Sequence, residues 1–296
     1  MQLSKEFDMK DLGAAQKILG MQIRRDKVAG KIWLSQAKYI QYILERFNMN
    51  EAKPMTTPLA AHYRLSALQC PTTEKELEKM SKVSYVSIVG CLMYVMVCKR
   101  PNLTQALSVV SRYMANPGME HWSAVKWIKS LGILLEKQGK ETCVLSYVDA
   151  DYAGDLDKRS TTSYVFTSGG KLISWRATLQ SITALSTTET EYIALTEAGK
   201  EAVWLNGLAR EFRITQGSMV IRCDNQSAIY LVKNQVFHGR SEHNEARYHR
   251  IRDWVESKVV TLEKVHTEKN ASDYLTKPVT AEKFKFCLNS LNLITC

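Results

Sequence analysis

The chain has 296 residues, 45% of them hydrophobic and 24% charged, which is the composition of one large or two ordinary folded domains and argues against bulk disorder. No terminal charged-then-apolar stretch ends in a small-residue cleavage site, so a secretory signal is not expected. The seven cysteines (Cys70, Cys91, Cys98, Cys143, Cys223, Cys287 and Cys296) contain no Cys-x-x-Cys pair and read as reduced thiols of an intracellular protein, neither a disulfide framework nor a zinc site. The net charge of +10 is uneven: residues 1–143 carry 21 Lys+Arg against 12 Asp+Glu, and residues 144–296 carry 19 against 18. A basic first half suits a polyanion partner, and equally a merely solvated surface.

In chain order, Lys31–Leu34 is a strand candidate after the Val28-Ala29-Gly30 turn. Ser35 then caps a helix whose apolar positions Tyr39, Ile40, Ile43, Leu44 and Phe47 follow helical spacing. Pro54 and Pro58 mark a linker. A polar stretch, Thr72–Ser81, leads into two helices, Tyr85–Cys98 and, after Pro101, Leu103–Met114. The apolar run that supplies the first of them, Val83–Cys98, is interrupted by Ser84, Ser87 and Gly90 and reads as a buried helix, not a membrane span. A third helix is expected over His121–Glu136, and the main domain boundary at Gly139.

Beyond that boundary the period changes. Val144–Val148, Thr162–Thr167 and Lys171–Trp175 are short β-rich runs, with Gly169-Gly170 turning the second into the third. A long helix follows from Thr187 to Phe212, then a strand Val220–Cys223, a helix from Gln226, a helix over Glu245–Glu256, a strand Val259–Val265 and a closing helix from Ala271. Three strands, helix, strand, two helices, strand and helix describe a mixed sheet flanked by helices, an α/β or α+β layered domain.

Within that pattern, Ser186 and Glu189 fit a Ser-x-x-Glu capping box, so Glu189 has a structural explanation. Glu191 has none, because its neighbours at helical spacing are Ala194, Leu195, Ala198, Ala202 and Leu205, an apolar stripe. An unpaired carboxylate there is costly unless a cation or a cleft meets it. Asp149 closes the strand Val144–Val148 and is followed in a loop by Asp151, Asp155 and Asp157. Asp224 closes the strand Val220–Cys223, and Asp273 lies in the first turn of the closing helix. Each aspartate alone can be a turn residue, an N-cap or a partner of the helix dipole. Together with Glu191 they form a four-carboxylate set from separated segments, the donor chemistry of a hard cation such as Mg²⁺. A pair of such ions promotes phosphodiester hydrolysis.

Five stretches carry a resemblance: Tyr147-Val148-Asp149-Ala150-Asp151-Tyr152-Ala153-Gly154-Asp155, Ala184 to Tyr192, Cys223-Asp224-Asn225-Gln226-Ser227-Ala228, Arg247-Tyr248-His249-Arg250-Ile251-Arg252, and Ala271 to Pro278. In order and spacing they resemble the RNase H domain of copia-type retrotransposon Pol polyproteins. Upstream, Phe7-Asp8-Met9-Lys10-Asp11-Leu12-Gly13, Leu34-Ser35-Gln36, Ser111-Arg112-Tyr113, His121-Trp122 and Ala124-Val125-Lys126 resemble the end of the reverse transcriptase and its connecting segment.

The resemblance implies an RNase H-like mixed five-stranded sheet flanked by helices, preceded by a mostly helical thumb and connection region. It implies a reverse transcriptase remnant over 1–60, a helical connection over 61–140, an RNase H domain over 141–280 and a C-terminal helix or tail over 281–296. Asp149, Glu191, Asp224 and Asp273 take the family's catalytic and metal-ligand positions, for two Mg²⁺ ions with Mn²⁺ as a substitute. Asp151 is an auxiliary metal ligand, and His266 is placed for proton transfer or product release. Arg159, Lys171, Arg247 and Arg250 are candidate contacts to the nucleic acid.

The implied function is a metal-dependent endonuclease cutting the RNA strand of RNA–DNA hybrids, in a cytoplasmic particle or the nucleus, with no membrane partner. The family's Tyr-x-Asp-Asp polymerase turn does not occur, so no polymerase activity is expected of this chain alone, and the upstream polymerase part is a further expected partner. Ser163 stands where the family commonly has glycine, and Glu242 where it commonly has lysine. These departures support a rival reading, a catalytically dead fragment that only binds RNA or hybrid. An unstable relic is a third reading, and an integrase-type nuclease a weaker one.

Overall fold

The structure is a computed structural model that describes residues 13–28, 30–48, 57–60, 62–129, 134–136, 144–154, 158–214, 217–234 and 246–295. Ala29, Pro54, Gly139, Asp155, Asp157, Glu242 and Glu245 lie outside the described residues. The chain separates into two compact units, Met1–Ala52 and Lys53–Cys296.

The first unit is an antiparallel sheet of β1 (Lys17–Ile18), β2 (Met21–Asp26) and β3 (Lys31–Ser35), followed by helix α1 (Ala37–Arg46). The cap of α1 falls one residue later than the sequence suggests. Gln36 is the N-cap residue and makes no side-chain cap bond, while Ser35 Oγ accepts from the Ala37 N–H at 3.3 Å.

In the second unit the polar stretch before residue 81 is itself a helix, α2 (Glu74–Ser81). Thr73 Oγ1 accepts from the Glu76 N–H, and Glu76 Oε2 accepts in turn from the Thr73 and Thr72 N–H groups at 3.2 and 3.1 Å. This reciprocal cap satisfies first-turn N–H groups of a helix whose buried side chain is Met80. Helix α3 (Tyr85–Lys99) buries Tyr85, Ile88, Val89, Leu92 and Val95. After a 3₁₀ turn at Pro101–Leu103 comes α4 (Thr104–Ser111), then α5 (Met119–Lys129). The helix expected over His121–Glu136 is described as far as Lys129 and does not extend over Leu134–Glu136. Leu134–Glu136 is instead strand β4, paired antiparallel with the last strand, Leu293–Thr295. Among the described residues no single helix is long and apolar enough to cross a membrane.

The main sheet is built from β5 (Val144–Asp151), β6 (Thr161–Ser168) and β7 (Lys171–Leu179), followed by α6 (Thr187–Glu211), β8 (Met219–Cys223), α7 (Gln226–Lys233), α8 (Ala246–Glu256) and β9 (Val260–Lys264). Its order is β7-β6-β5-β8-β9, antiparallel through the first three strands and parallel through β5-β8-β9. This is the mixed five-stranded sheet flanked by helices that the sequence implies. Gly169 and Gly170, at φ 60° and 69°, supply the left-handed pair that a tight hairpin with right-handed strand twist requires.

Successive strand residues face opposite sides, and each side has its own core. Val148, Tyr164, Phe166 and Ile221 pack with Tyr192, Leu195, Ala198 and Ala202 of α6. Val165 and Leu172 pack with Leu275, Phe284 and Leu288 on the other side. Those last residues belong to α9 (Asp273–Thr276) and α10 (Ala281–Ser290), followed by β10 (Leu293–Thr295). The single closing helix expected from Ala271 is thus two helices. Pro278 disfavours helical geometry at the residue before it, and Lys277 is extended at φ −141°, ψ 155°.

Candidate active site

Strand β5 runs through Asp151, so Asp149 lies inside the strand instead of at its end, and Asp149 and Asp151 share one face of it. Asp149 is 2% exposed. Thr276 Oγ1 donates a short hydrogen bond to its Oδ2. At the start of α6, Ser186 Oγ caps the helix by accepting from the Glu189 N–H at 3.2 Å, and Glu189 Oε2 accepts from the Leu185 N–H at 2.7 Å. Glu189 is thereby turned back to the helix N-terminus, one residue further than a standard capping box. Glu191, one half-turn on, is buried at 7% exposure and reaches the strand, its Oε1 accepting from the Ala150 N–H at 3.3 Å.

Asp224 follows β8 and is half-buried, and Asn225 Oδ1 caps α7 through the Ala228 N–H at 2.9 Å. Asp273 begins α9 at 4% exposure. Carboxylate oxygens of Asp149, Asp224 and Asp273 lie within 4.8 Å of one another, as do the ligand atoms of Glu191, Cys223 and Asp224. Four separated segments therefore deliver four carboxylates to one place, with Asp224 common to both groups.

Burial, with Asp149 and Asp224 adding repulsion, drives the Glu191 carboxyl far above the ordinary carboxylate range. Burial does the same to Asp149, reinforced by Asp273 and opposed by Lys277. Burial also raises Asp151, with Lys277 again opposing. The cluster is thus short of positive charge. A cation would supply it, and the donors it would meet are hard carboxylate oxygens, which suit Mg²⁺ or Mn²⁺. The one soft neighbour, Cys223 Sγ, donates toward Glu191 Oε2 at 3.8 Å, and burial holds it as a protonated thiol. It is a packing partner of Glu191 and not a ligand for a hard ion.

Several residues that complete the site carry no role in the sequence reading. Lys277 Nζ stands 3.7 Å from Asp149 Oδ2 and 3.6 Å from Asp273 Oδ1, and Lys283 Nζ lies 3.0 Å from Asp273 Oδ2. Burial works against the Lys277 ammonium, but Asp149, Asp273, Asp151 and Asp224 together outweigh it and raise its pKa. Lys277 falls four residues after Asp273, the helical spacing of an ion pair, which was the readable signal. Ser163, the departure from glycine, reaches the carbonyls of Asp149 (3.4 Å) and Ser272 (3.3 Å) with its hydroxyl. It joins the two segments that carry Asp149 and Asp273. Asp151 faces the turn that follows β5, where a Cβ at Gly154 would collide with its carboxylate.

The other candidates make local contacts or are exposed. His266 is exposed, and its Nδ1 accepts from the Glu268 N–H at 3.3 Å, capping a local 3₁₀ turn. Arg159 is exposed and donates to the Gln180 carbonyl at 3.4 Å. Lys171 at the start of β7 and Arg250 on α8 are exposed. Arg247 is on α8, its side chain outside those described.

Residues 1–61 match the family model described as reverse transcriptase (RNA-dependent DNA polymerase). Across 96% of its length the chain is 52% identical to the retrovirus-related Pol polyprotein from transposon TNT 1-94 of Nicotiana tabacum, covering 22% of that protein. It is 36% identical, again across 96% of its length, to the corresponding polyprotein from transposon RE1 of Arabidopsis thaliana, covering 19%. The chain spans about a fifth of the length of these curated relatives. The solved RNase H1 of the halophilic archaeon Halobacterium salinarum NRC-1 aligns with 43% of this chain and 88% of its own, at 21% identity and a TM-score of 0.27. The sequence matches run through the polymerase-like stretch and the carboxylate-bearing segments alike, and the chain belongs to the copia-type retrotransposon Pol polyproteins.

Proposed function

We propose that residues 141–280, within the second unit, are a ribonuclease H that hydrolyses the RNA strand of RNA–DNA hybrids, with divalent cations held by Asp149, Glu191, Asp224 and Asp273. The observation that carries this reading is the convergence of four carboxylates, three of them under 8% exposed, at a place where unpaired charge is costly. Family membership supports the substrate class, since a reverse transcriptase makes hybrids that must be cleared of RNA. Cations bound there supply Lewis acidity and lower the pKa of water for attack on a phosphodiester.

The chain's own residues have separable tasks in this reading. Thr276 and Lys277 orient and neutralise Asp149, Lys283 orients Asp273, and the Ala150 N–H fixes Glu191. Asp151 serves as an auxiliary ligand on the same strand face as Asp149. Residues 141–280 form the nuclease domain, braced by the 61–140 helices and the 281–296 tail. Arg159, Lys171, Arg247 and Arg250 contact the phosphate backbone, and His266 assists proton transfer or product release. The test is cleavage of a labelled hybrid by the purified chain with Mg²⁺, beside Asp224→Asn, which removes a charged ligand and keeps the shape. Loss of cleavage in the variant supports the reading. Equal background in both leaves a protein that only binds RNA or hybrid.

A further inference from the structure

Two lysines touch Asp273 and differ in every respect that decides whether they can leave. Lys283 Nζ has three acceptors, Asp273 Oδ2 at 3.0 Å, the Thr267 carbonyl at 2.9 Å and the Glu268 carbonyl at 2.7 Å, and its side chain is 19% exposed. An ammonium has three N–H donors, so this one is fully engaged and fixed. Lys277 Nζ is 3.7 Å from Asp149 Oδ2 and 3.6 Å from Asp273 Oδ1, beyond hydrogen-bond length from both, and its side chain is 38% exposed. It supplies charge to two carboxylates without a directional bond to either, and it has a route to solvent.

A cation on the oxygens of Asp149, Asp224 and Asp273 and an ammonium within 4 Å of two of them repel each other. We propose that Lys277 is a displaceable internal cation that competes with divalent ions for Asp149 and Asp273 and so sets the metal affinity of the site, whereas Lys283 is a fixed clamp that orients Asp273. This rests on the reading of the four carboxylates as a cation site. It makes Lys277 a positioning residue acting through the carboxylates, and it gives the two lysines opposite effects on metal binding.

The test is calorimetric titration of the full 296-residue chain with Mn²⁺ after treatment with chelator, so the readout is independent of cleavage. Lys277→Gln should bind Mn²⁺ about tenfold more tightly, the lower end of what a charge within about 4–6 Å does to a neighbouring site. Lys277→Arg should stay near wild type, and Lys283→Met should bind more weakly. In chelator Lys277→Gln should also melt below wild type, since two buried carboxylates lose their counter-charge. Lys277→Met keeps the aliphatic stem and reads the same way if the glutamine variant does not fold. Wild-type or weaker affinity in the neutral Lys277 variants, with Asp224→Asn impaired as expected, overturns the role of Lys277 alone. No Mn²⁺ binding by wild type, or unimpaired binding by Asp224→Asn, overturns the cation site and this inference with it.

Discussion

Asn270 Nδ2 donates to the Val148 carbonyl at 2.9 Å across 122 residues of sequence, and this side chain fastens the turn before Asp273 to the strand that carries Asp149. Its Oδ1 accepts from the Ser272 N–H at 3.2 Å and the Ser272 hydroxyl at 2.8 Å. Asn270 is fully buried. Both amide atoms are used, so the distance between the two aspartate-bearing segments is set by a rigid planar group.

Asn270→Ala leaves the Val148 carbonyl and the Ser272 donors without this partner. The expected cost is about 2–4 kcal/mol in urea unfolding, since each stranded buried polar group forfeits about 1–3 kcal/mol. Mn²⁺ affinity should fall as well, because the Asp273 turn loses its tether. Unchanged stability together with unchanged Mn²⁺ binding would mean that the turn is held by other contacts.

Glu189 and Glu191 stand two residues apart and should respond in opposite ways. Glu189→Ala removes a cap bond to the Leu185 N–H and should cost about 1 kcal/mol while leaving Mg²⁺-dependent cleavage near wild type. Glu191→Gln removes a buried carboxylate short of positive charge. It should raise the melting temperature in chelator and abolish cleavage. A Glu191→Gln protein that cuts hybrid as wild type does would remove Glu191 from the catalytic set.

What could be read from the sequence divides along physical lines. The five strands of the main sheet and the helices between them were legible, because periods of 2 and 3.6 and the Gly169-Gly170 turn are local signals, whereas the break of the closing helix into two was not. The division between Glu189 and Glu191 was legible for the same reason, the cap and the apolar stripe being written within one helix. Leu134–Glu136 was not, since its apolar residues extend a helical pattern and its β partner, Leu293–Thr295, lies at the other end of the chain. Ser163, a departure from the family's glycine, bridges the carbonyls of Asp149 and Ser272 with its hydroxyl, a relationship only the fold creates. Lys277 was readable in part through its spacing from Asp273, but its approach to Asp149 depends on how α9 meets β5.

Stability should depend on pH in a direction set by the raised carboxyls. Burial first, then neighbouring charge, lifts Asp149 and Glu191 well above the ordinary range, so the native chain keeps protons that the unfolded chain has released above about pH 4. Where the native state binds more protons, stability falls as pH rises. This contribution is full in acid and is lost as pH climbs from about 4 through the raised native values. In chelator the melting temperature should therefore drop between about pH 5 and pH 8, with acid denaturation by other groups setting the lower limit. Saturating Mg²⁺ should remove most of the drop, and Glu191→Gln should lessen it. A melting temperature that rises over this interval in chelator would contradict the charge deficit of the cluster.

The last prediction concerns where the affinity for nucleic acid resides. The basic excess of the first 143 residues is unequally shared, with 9 Lys+Arg against 6 Asp+Glu in residues 1–52 and 12 against 6 in residues 53–143. The compact units divide at Ala52, whereas a cut near Lys140 would take away β4, the partner of β10, and α4, which packs on the edge strand β7. The informative truncation is thus residues 53–296. It should fold, because it retains both faces of the sheet and their cores. Lys and Arg that neutralise phosphates release counterions, and each such contact adds roughly 0.9 to the slope of log affinity against log salt. Since the larger share of the excess stays with the second unit, the truncated chain should keep more than half of the full-length slope on an RNA–DNA hybrid. Binding measured across a salt series for both proteins decides the matter. A truncated chain whose slope collapses toward zero would place the electrostatic contacts in the first unit and leave the second with the chemistry alone.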